Sequence, residues 1–98
     1  MAKVIGYCYV VCDILHEGHV EYFRKSKALC DVLICGVLTA EATMEKKPRP
    51  ILGYKQRAAV VAAIRYVDEV VMQKEYSPLK NLPTKQARLL FQDIRAMN

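Results

Sequence analysis

A long apolar run near the start of the chain constrains the fold more than any other feature. Residues 4–12 read Val-Ile-Gly-Tyr-Cys-Tyr-Val-Val-Cys, and their β-branched and aromatic bias is typical of a buried strand. A second, almost wholly apolar run at residues 33–38 has the same character. Between the two lies a segment in which apolar and basic residues alternate at helical spacing, so the chain begins as strand, helix, strand.

This alternation of strand and helix continues along the sequence. We predict strands at residues 3–11, 33–38 and 68–72, and helices at residues 18–29 and 54–66. Such an order favours right-handed parallel crossovers, and therefore an α/β fold with a doubly wound parallel sheet. The stretch 39–53 is polar, and Pro48 and Pro50 prevent regular pairing there. Ligands of such sheets bind beyond the carboxyl ends of the strands, where we expect His16, His19, Thr39 and the loop around Lys46 to converge.

Length and charge narrow the class of protein. A chain of 98 residues with 53% hydrophobic and 26% charged residues is long enough for one globular domain, and this composition excludes general disorder. The net charge of +5 suits an anionic ligand. Apart from Lys46, Lys47 and Arg49 the cationic residues are scattered and form no stripe interleaved with aromatic residues, so we do not expect a nucleic-acid partner.

The cysteines and the absence of targeting features indicate a compartment. Cys8, Cys12, Cys30 and Cys35 show no C-x-x-C spacing, so no metal site is predicted from them. Cys8 and Cys35 fall in predicted strands, where a free thiol behaves as a small apolar side chain. The sequence has no signal peptide and no apolar run long enough for a transmembrane segment, and we therefore expect a reduced, cytoplasmic protein.

The junction between the first strand and the first helix carries the candidate chemistry. It reads Asp-Ile-Leu-His-Glu-Gly-His at residues 13–19, with two histidines three residues apart around Gly18. Free backbone N–H groups and the helix dipole favour a phosphate at such a junction, and imidazoles add hydrogen bonds to it. Gly18 has no Cβ and allows close approach of backbone and ligand. The alternative interpretation is that His16 caps a turn and His19 is a surface residue.

The His16-x-Gly18-His19 spacing resembles the H-x-G-H signature of the nucleotidyltransferase superfamily. The resemblance extends over residues 4–82 and includes the approach to the second strand at 27–37, the basic segment 46–50, Gln56-Arg57, and Arg-Tyr-Val-Asp-Glu-Val at 65–70. The last segment is similar to the cytidylyltransferase branch, which acts on glycerol 3-phosphate, phosphoethanolamine or phosphocholine. The resemblance implies a Rossmann-like fold in a single three-layer domain. Residues 1–82 would then form the catalytic core.

The resemblance also implies an activity and its residues. The reaction would be cytidylyl transfer from CTP, with Mg²⁺, to a small phosphorylated alcohol or amine, with phosphoethanolamine as the first choice and pyrophosphate as the leaving group. His16, His19 and Lys46 would be catalytic, and Lys46 and Thr39 would bind the acceptor. The residues expected to contact the nucleotide are Val10, Val11, Cys12, Asp13, His16, Gly18, His19 and Arg57.

Other positions concern the assembly of the protein and its ability to catalyse the reaction. The segment Arg65, Tyr66, Val67 and Asp68 matches the dimer interface of the family, so we expect a homodimer. Val10-Val11-Cys12 stands where the family has Gly-Thr-Phe, and Ala40 stands where an Asp is frequent. The family's Arg-Thr-x-Gly-Ile-Ser-Thr-Thr motif is absent, so the core is incomplete at its C-terminus. An adenylyltransferase, or a truncated form that dimerises with a full-length relative without catalysing, are the alternatives.

The last sixteen residues do not resemble the family. At residues 83–98 we predict an amphipathic helix with Thr84 as its N-cap and Leu89, Leu90, Phe91 and Ile94 on its apolar side.

Overall fold

The structure is a computed structural model that describes residues 4–81 and the backbone of residues 88–89. Its elements are β1 (Ile5–Val10), α1 (Glu17–Ala28), β2 (Val32–Leu38), α2 (Ala40–Thr43), α3 (Tyr54–Ala62), β3 (Glu69–Gln73), a 3₁₀ turn (Leu79–Asn81) and β4 (Arg88–Leu89).

The sheet has four parallel strands in the order β3-β2-β1-β4. The β1–β2 ladder runs from the pair Ile5↔Val32 to Val10↔Val37. The strand order reverses at β1, so the crevice at which doubly wound sheets bind ligands lies at the carboxyl end of β1. The predicted Rossmann-like, doubly wound α/β fold is confirmed, and it places the residues that follow β1 beside this crevice.

Helices α1 and α3 cover one face of the sheet. The buried residues of α1 are His19, Tyr22, Phe23 and Ser26, which lie at the i, i+3, i+4, i+7 positions of one helical stripe. Together with Val61 of α3, the aromatic residues of this stripe pack on the side chains of β1 and β2 that point to the same face. His19 is therefore part of the buried face of α1.

The second face of the sheet contains a buried polar contact. The Tyr7 hydroxyl of β1 donates a hydrogen bond of 2.7 Å to Oε1 of Gln73 in β3, and thus passes over the intervening strand β2. The residue of β2 beneath this contact is Gly36, where a Cβ would lie 2.0 Å from the hydroxyl. Gln73 also donates to the carbonyls of Glu75 and Tyr76. This contact attaches the segment after β3 to the sheet, where with α2 it forms the third layer.

Two local predictions differ from the structure. The loop predicted at 39–53 contains the short helix α2, which starts because the Thr39 hydroxyl accepts a hydrogen bond from the Ala42 N–H. The predicted C-terminal helix, including Thr84, lies mostly outside the described residues, but it is wrong at Arg88–Leu89, which form β4. There the edge of β1 offers unpaired backbone groups, and a short apolar run suits a strand as well as a helix.

Candidate active site

A cleft of about 550 Å³ opens at the carboxyl end of β1. One wall comes from the segment between β1 and α1 and from the first turn of α1: Val11, Cys12, Asp13, Ile14, His16 and His19. The other wall comes from the end of α2 and the proline-containing loop that follows: Thr43, Lys47, Pro48, Arg49, Pro50 and Ile51. The cleft therefore combines the two predicted regions, the histidine junction and the basic loop.

The two histidines start α1 by capping each other's backbone. His16 is the N-cap, and its Nδ1 accepts a hydrogen bond of 3.0 Å from the Gly18 N–H. The His16 N–H in turn donates to Nδ1 of His19 at 3.2 Å, and the ring centroids are 4.0 Å apart. Because both Nδ1 atoms accept from N–H groups, both imidazoles carry their proton on Nε2. The two histidines thus lie side by side in one cleft wall, and their shared role in binding a ligand stays a prediction. His16 also caps, as the alternative interpretation held.

Burial keeps His19 neutral. Its side chain is 4% exposed, and burial, followed by the proximity of His16 and Lys47, lowers its pKa from 6.5 to about 4. At neutral pH this residue is a hydrogen-bond donor through Nε2 rather than a cation. The prediction of a surface position for His19 in the alternative interpretation is therefore wrong.

The two adjacent lysines of the basic loop point to different places. Lys46 is exposed, and its Nζ lies 5.2 Å from the centroid of the Tyr76 ring on the second face of the sheet. Lys47 is half-buried in the cleft wall, close enough to His19 to lower the pKa of that imidazole. Lys47 follows Thr43 by one helical turn, and its N–H donates to the Thr43 carbonyl. The sequence alone did not distinguish the two lysines, and our sequence interpretation chose Lys46.

Asp13 and Arg57 bind backbone rather than each other. The Asp13 carboxylate accepts hydrogen bonds from the N–H groups of Ile51 and Leu52 at 2.9 and 2.8 Å. Arg57 is fully buried and does not line the cleft. Its guanidinium donates to main-chain carbonyls, and burial lowers its pKa. A direct contact between Arg57 and a nucleotide thus stays a prediction.

Several predicted site residues lie outside the cleft wall. Val10 is buried in the core against α1, and Thr39 caps α2, while Thr43 takes a place in the wall that the sequence did not indicate. Gly18 contributes its N–H to the His16 ring. Cys12 lies in the wall with a φ of 56°, a left-handed conformation, and burial raises the pKa of its thiol to about 11. The Cys12 side chain is therefore a buried, protonated thiol.

The segment predicted as a dimer interface makes contacts within its own chain. Tyr66 and Val67 pack against the core, and the guanidinium of Arg65 lies over the Tyr66 ring. The Asp68 carboxylate accepts from Lys27 at 2.5 Å and from a backbone N–H at 2.8 Å, and these hydrogen bonds lower the pKa of Asp68. Intramolecular packing accounts for these side chains, and the homodimer stays a prediction.

The described residues hold neither a cluster of metal-ligating side chains nor a membrane-spanning helix. No group of three or more His, Cys, Asp or Glu side chains there could hold a metal ion. Asp13 is the carboxylate in the cleft wall, and it already accepts two N–H bonds. No helix within the same residues is long and apolar enough to cross a bilayer.

Fold and cleft together define an α/β protein with a cleft, lined by two histidines and by cationic residues, at the switch point of its sheet. Residues 11–94 match the family model described as cytidylyltransferase-like. The chain belongs to this cytidylyltransferase-like family, and it therefore lies within the nucleotidyltransferase superfamily.

Individual proteins of known sequence or structure match most of this chain. It is 37% identical over 89 residues to the bifunctional protein HldE of Helicobacter pylori, covering 88% of this chain and 19% of that protein. It is 35% identical over 80 residues to glycerol-3-phosphate cytidylyltransferase of Bacillus subtilis, covering 82% of this chain and 60% of that enzyme. A lipopolysaccharide core biosynthesis protein from Thermoplasma volcanium superposes with a TM-score of 0.77 at 27% identity, covering 83% of this chain and 66% of the other. The chain thus spans about a fifth of the first relative and three fifths of the second.

Proposed function

We propose that this chain provides the core for cytidylyl transfer from CTP to a small phosphorylated alcohol, with release of pyrophosphate. The observation that carries the proposal is the pair of imidazoles in one cleft wall, each with its proton on Nε2, opposite Lys47. Nucleotidyl transfer requires alignment of the two phosphates and stabilisation of charge that develops on phosphoryl oxygens, without covalent help from the protein.

Each cleft residue has a role in this proposal. His16 and His19 donate from Nε2 to oxygens of the α-phosphate, on which charge increases in the transition state. Lys47 supplies the fixed positive charge for phosphates already present in the ground state, a role that the sequence had assigned to Lys46. Lys46 would join it if the loop moved its side chain away from the Tyr76 ring.

The proposal also includes a metal ion and an acceptor substrate. The described residues fit a Mg²⁺ that enters with the triphosphate, since Mg²⁺ commonly keeps its waters and binds through substrate phosphates with few protein ligands. When bound, it would neutralise phosphate charge. We take glycerol 3-phosphate as the first acceptor to test, because it is the acceptor named for a relative of which this chain covers 60%, and phosphoethanolamine as the second.

Assembly and location belong to the same proposal. A homodimer through residues 65–68 would cover the exposed Arg65 side chain and leave the internal contacts of Tyr66 and Val67 in place. The four cysteines are free thiols, which supports a reducing, cytoplasmic location.

The test is a titration of the protein with Mg·CTP and Mg·ATP, followed by an assay of pyrophosphate release with each acceptor. We expect tighter binding of CTP, and we expect His16→Ala to reduce turnover by about 100-fold or more while changing CTP affinity much less. Glu17→Gln is the matched control, because Glu17 is exposed beside His16 and lies outside the cleft wall. Tighter ATP binding would transfer the proposal to adenylyl transfer, and binding of neither nucleotide would overturn it.

A further inference from the structure

The loop that forms the basic wall of the cleft is attached to the rest of the fold through the backbone of Leu52. Its N–H donates to Oδ1 of Asp13 at 2.8 Å, and the preceding Ile51 N–H donates to Oδ2 at 2.9 Å. The Leu52 carbonyl accepts from Nε of Arg57 at 3.0 Å. The N–H and the carbonyl of one residue are thus held by two side chains from different parts of the fold, the segment after β1 and helix α3.

Arg57 joins this point to the ends of two strands. Its Nη1 donates to the carbonyls of Val11 at 3.0 Å and of Leu38 at 2.6 Å. These carbonyls lie one residue beyond the last pair of the β1–β2 ladder, and Leu38 still pairs with Gln73 of β3 on its other side. Nη2 of Arg57 is buried and has no hydrogen-bond partner within the described residues. Burial of a guanidinium costs free energy unless its N–H groups are hydrogen-bonded. The three carbonyls that accept from Arg57 offset this cost and hold its side chain in place.

We propose that Asp13 and Arg57 are positioning residues, which hold loop 47–51 so that Lys47 faces the two histidines across the cleft. This inference rests on the proposed function for its effect on binding, and on geometry alone for its effect on the loop. Pro48 and Pro50 have no N–H, so the loop is poorly able to fix itself through its own backbone. Attachment at Leu52 supplies the missing constraint.

The same contacts explain how the Asp13 carboxylate can lie in the wall of a cleft that we propose binds phosphates. A negative charge in the cleft wall would repel phosphate. Here both oxygens of Asp13 accept N–H bonds, and the guanidinium of Arg57 is near enough to interact electrostatically with the carboxylate. The charge of Asp13 is thereby used to hold the loop.

The first measurement is hydrogen exchange at individual amides of the whole chain. In the native protein the amides of Ile51 and Leu52 should be protected although Ile51 is 81% exposed. Asp13→Asn leaves one oxygen and introduces an NH₂ group against a donor, so both amides should exchange at least about tenfold faster while the amide of Cys35 in the core is unchanged. Asp31→Asn is the matched control, because Asp31 accepts the Val4 N–H at the opposite end of β1.

The second measurement is the affinity of the same variants for Mg·CTP. Asp13→Asn should raise Kd about tenfold, equivalent to about 1.4 kcal/mol, and Asp13→Glu should restore part of the affinity, while Asp31→Asn should not change it. Unprotected amides at Ile51 and Leu52 in the native protein, or unchanged exchange in Asp13→Asn, would show that Asp13 does not hold the loop, even if that variant folds poorly. Faster exchange with unchanged affinity would overturn the positioning role. A native protein that does not bind Mg·CTP would count against the proposed function, and the exchange data would still decide whether Asp13 holds the loop.

Discussion

Acidification should destabilise the protein through His19. The pKa of this imidazole is lowered from 6.5 to about 4, by burial first and then by His16 and Lys47. In the unfolded chain the ring takes up its proton near pH 6.5, so between pH 6.5 and pH 4 the unfolded state binds more protons than the folded state. The stability that depends on the neutral ring is therefore complete above pH 6.5 and is lost as the pH falls toward 4.

The magnitude follows from the two pKa values. The whole difference between the two pKa values corresponds to about 3 kcal/mol in the free energy of unfolding. About 2 kcal/mol of this stability should be lost between pH 7.5 and pH 5. Because the side chain is 4% exposed, solvent screening reduces this value little. For a domain of this size the loss is a large part of the total stability.

The measurement is urea unfolding at pH 7.5 and pH 5 for the native protein and for His19→Asn. Asparagine Oδ1 can accept the His16 N–H in place of Nδ1, but it does not titrate. Carboxylates titrate in both proteins, so their contribution cancels when the two pH effects are subtracted. The native protein should lose about 2 kcal/mol more than the variant. An equal loss in both would refute a depressed pKa for His19.

Two further predictions concern packing and the basic loop. Gly36→Ala should lower the free energy of unfolding by about 2–4 kcal/mol, since its Cβ would displace the buried Tyr7 hydroxyl from its hydrogen bond. Gly53→Ala, with no atom nearer than 4.0 Å to the added Cβ, should be close to neutral in the same urea titration, and equal effects would contradict the packing argument. Lys47→Ala should weaken Mg·CTP binding at least about tenfold and Lys46→Ala less than about twofold, and a reversed order in the titration would reassign the roles.

The sequence predicted the sheet well because its signals are local. Residues 4–12 and 33–38 are apolar enough that few alternatives to a buried strand exist, and the helix between them carries its own stripe of buried residues. The histidine junction followed from the same order, since a parallel sheet brings the segment after β1 to its ligand-binding edge.

The sequence is less informative where distant residues decide the outcome. Lys46 and Lys47 differ little as sequence, and the side chain of Lys46 is oriented by Tyr76, thirty positions further along. The acceptors of Arg57 are main-chain carbonyls one residue beyond the β1–β2 ladder, a feature of sheet geometry with no residue signature. The strand at Arg88–Leu89 forms because β1 presents an open edge, which composition alone does not reveal.

The reciprocal capping of the two histidines has an evolutionary consequence. The hydrogen bonds through which they start α1 are the bonds that place their protons on Nε2, so helix initiation and donor chemistry depend on the same Nδ1 atoms. Under the proposed function, a substitution at either position would be selected against twice, once for folding and once for turnover. A descendant released from catalysis would still keep both histidines for the sake of the helix, and would reveal its changed role first at Lys47, whose side chain contributes charge to the cleft.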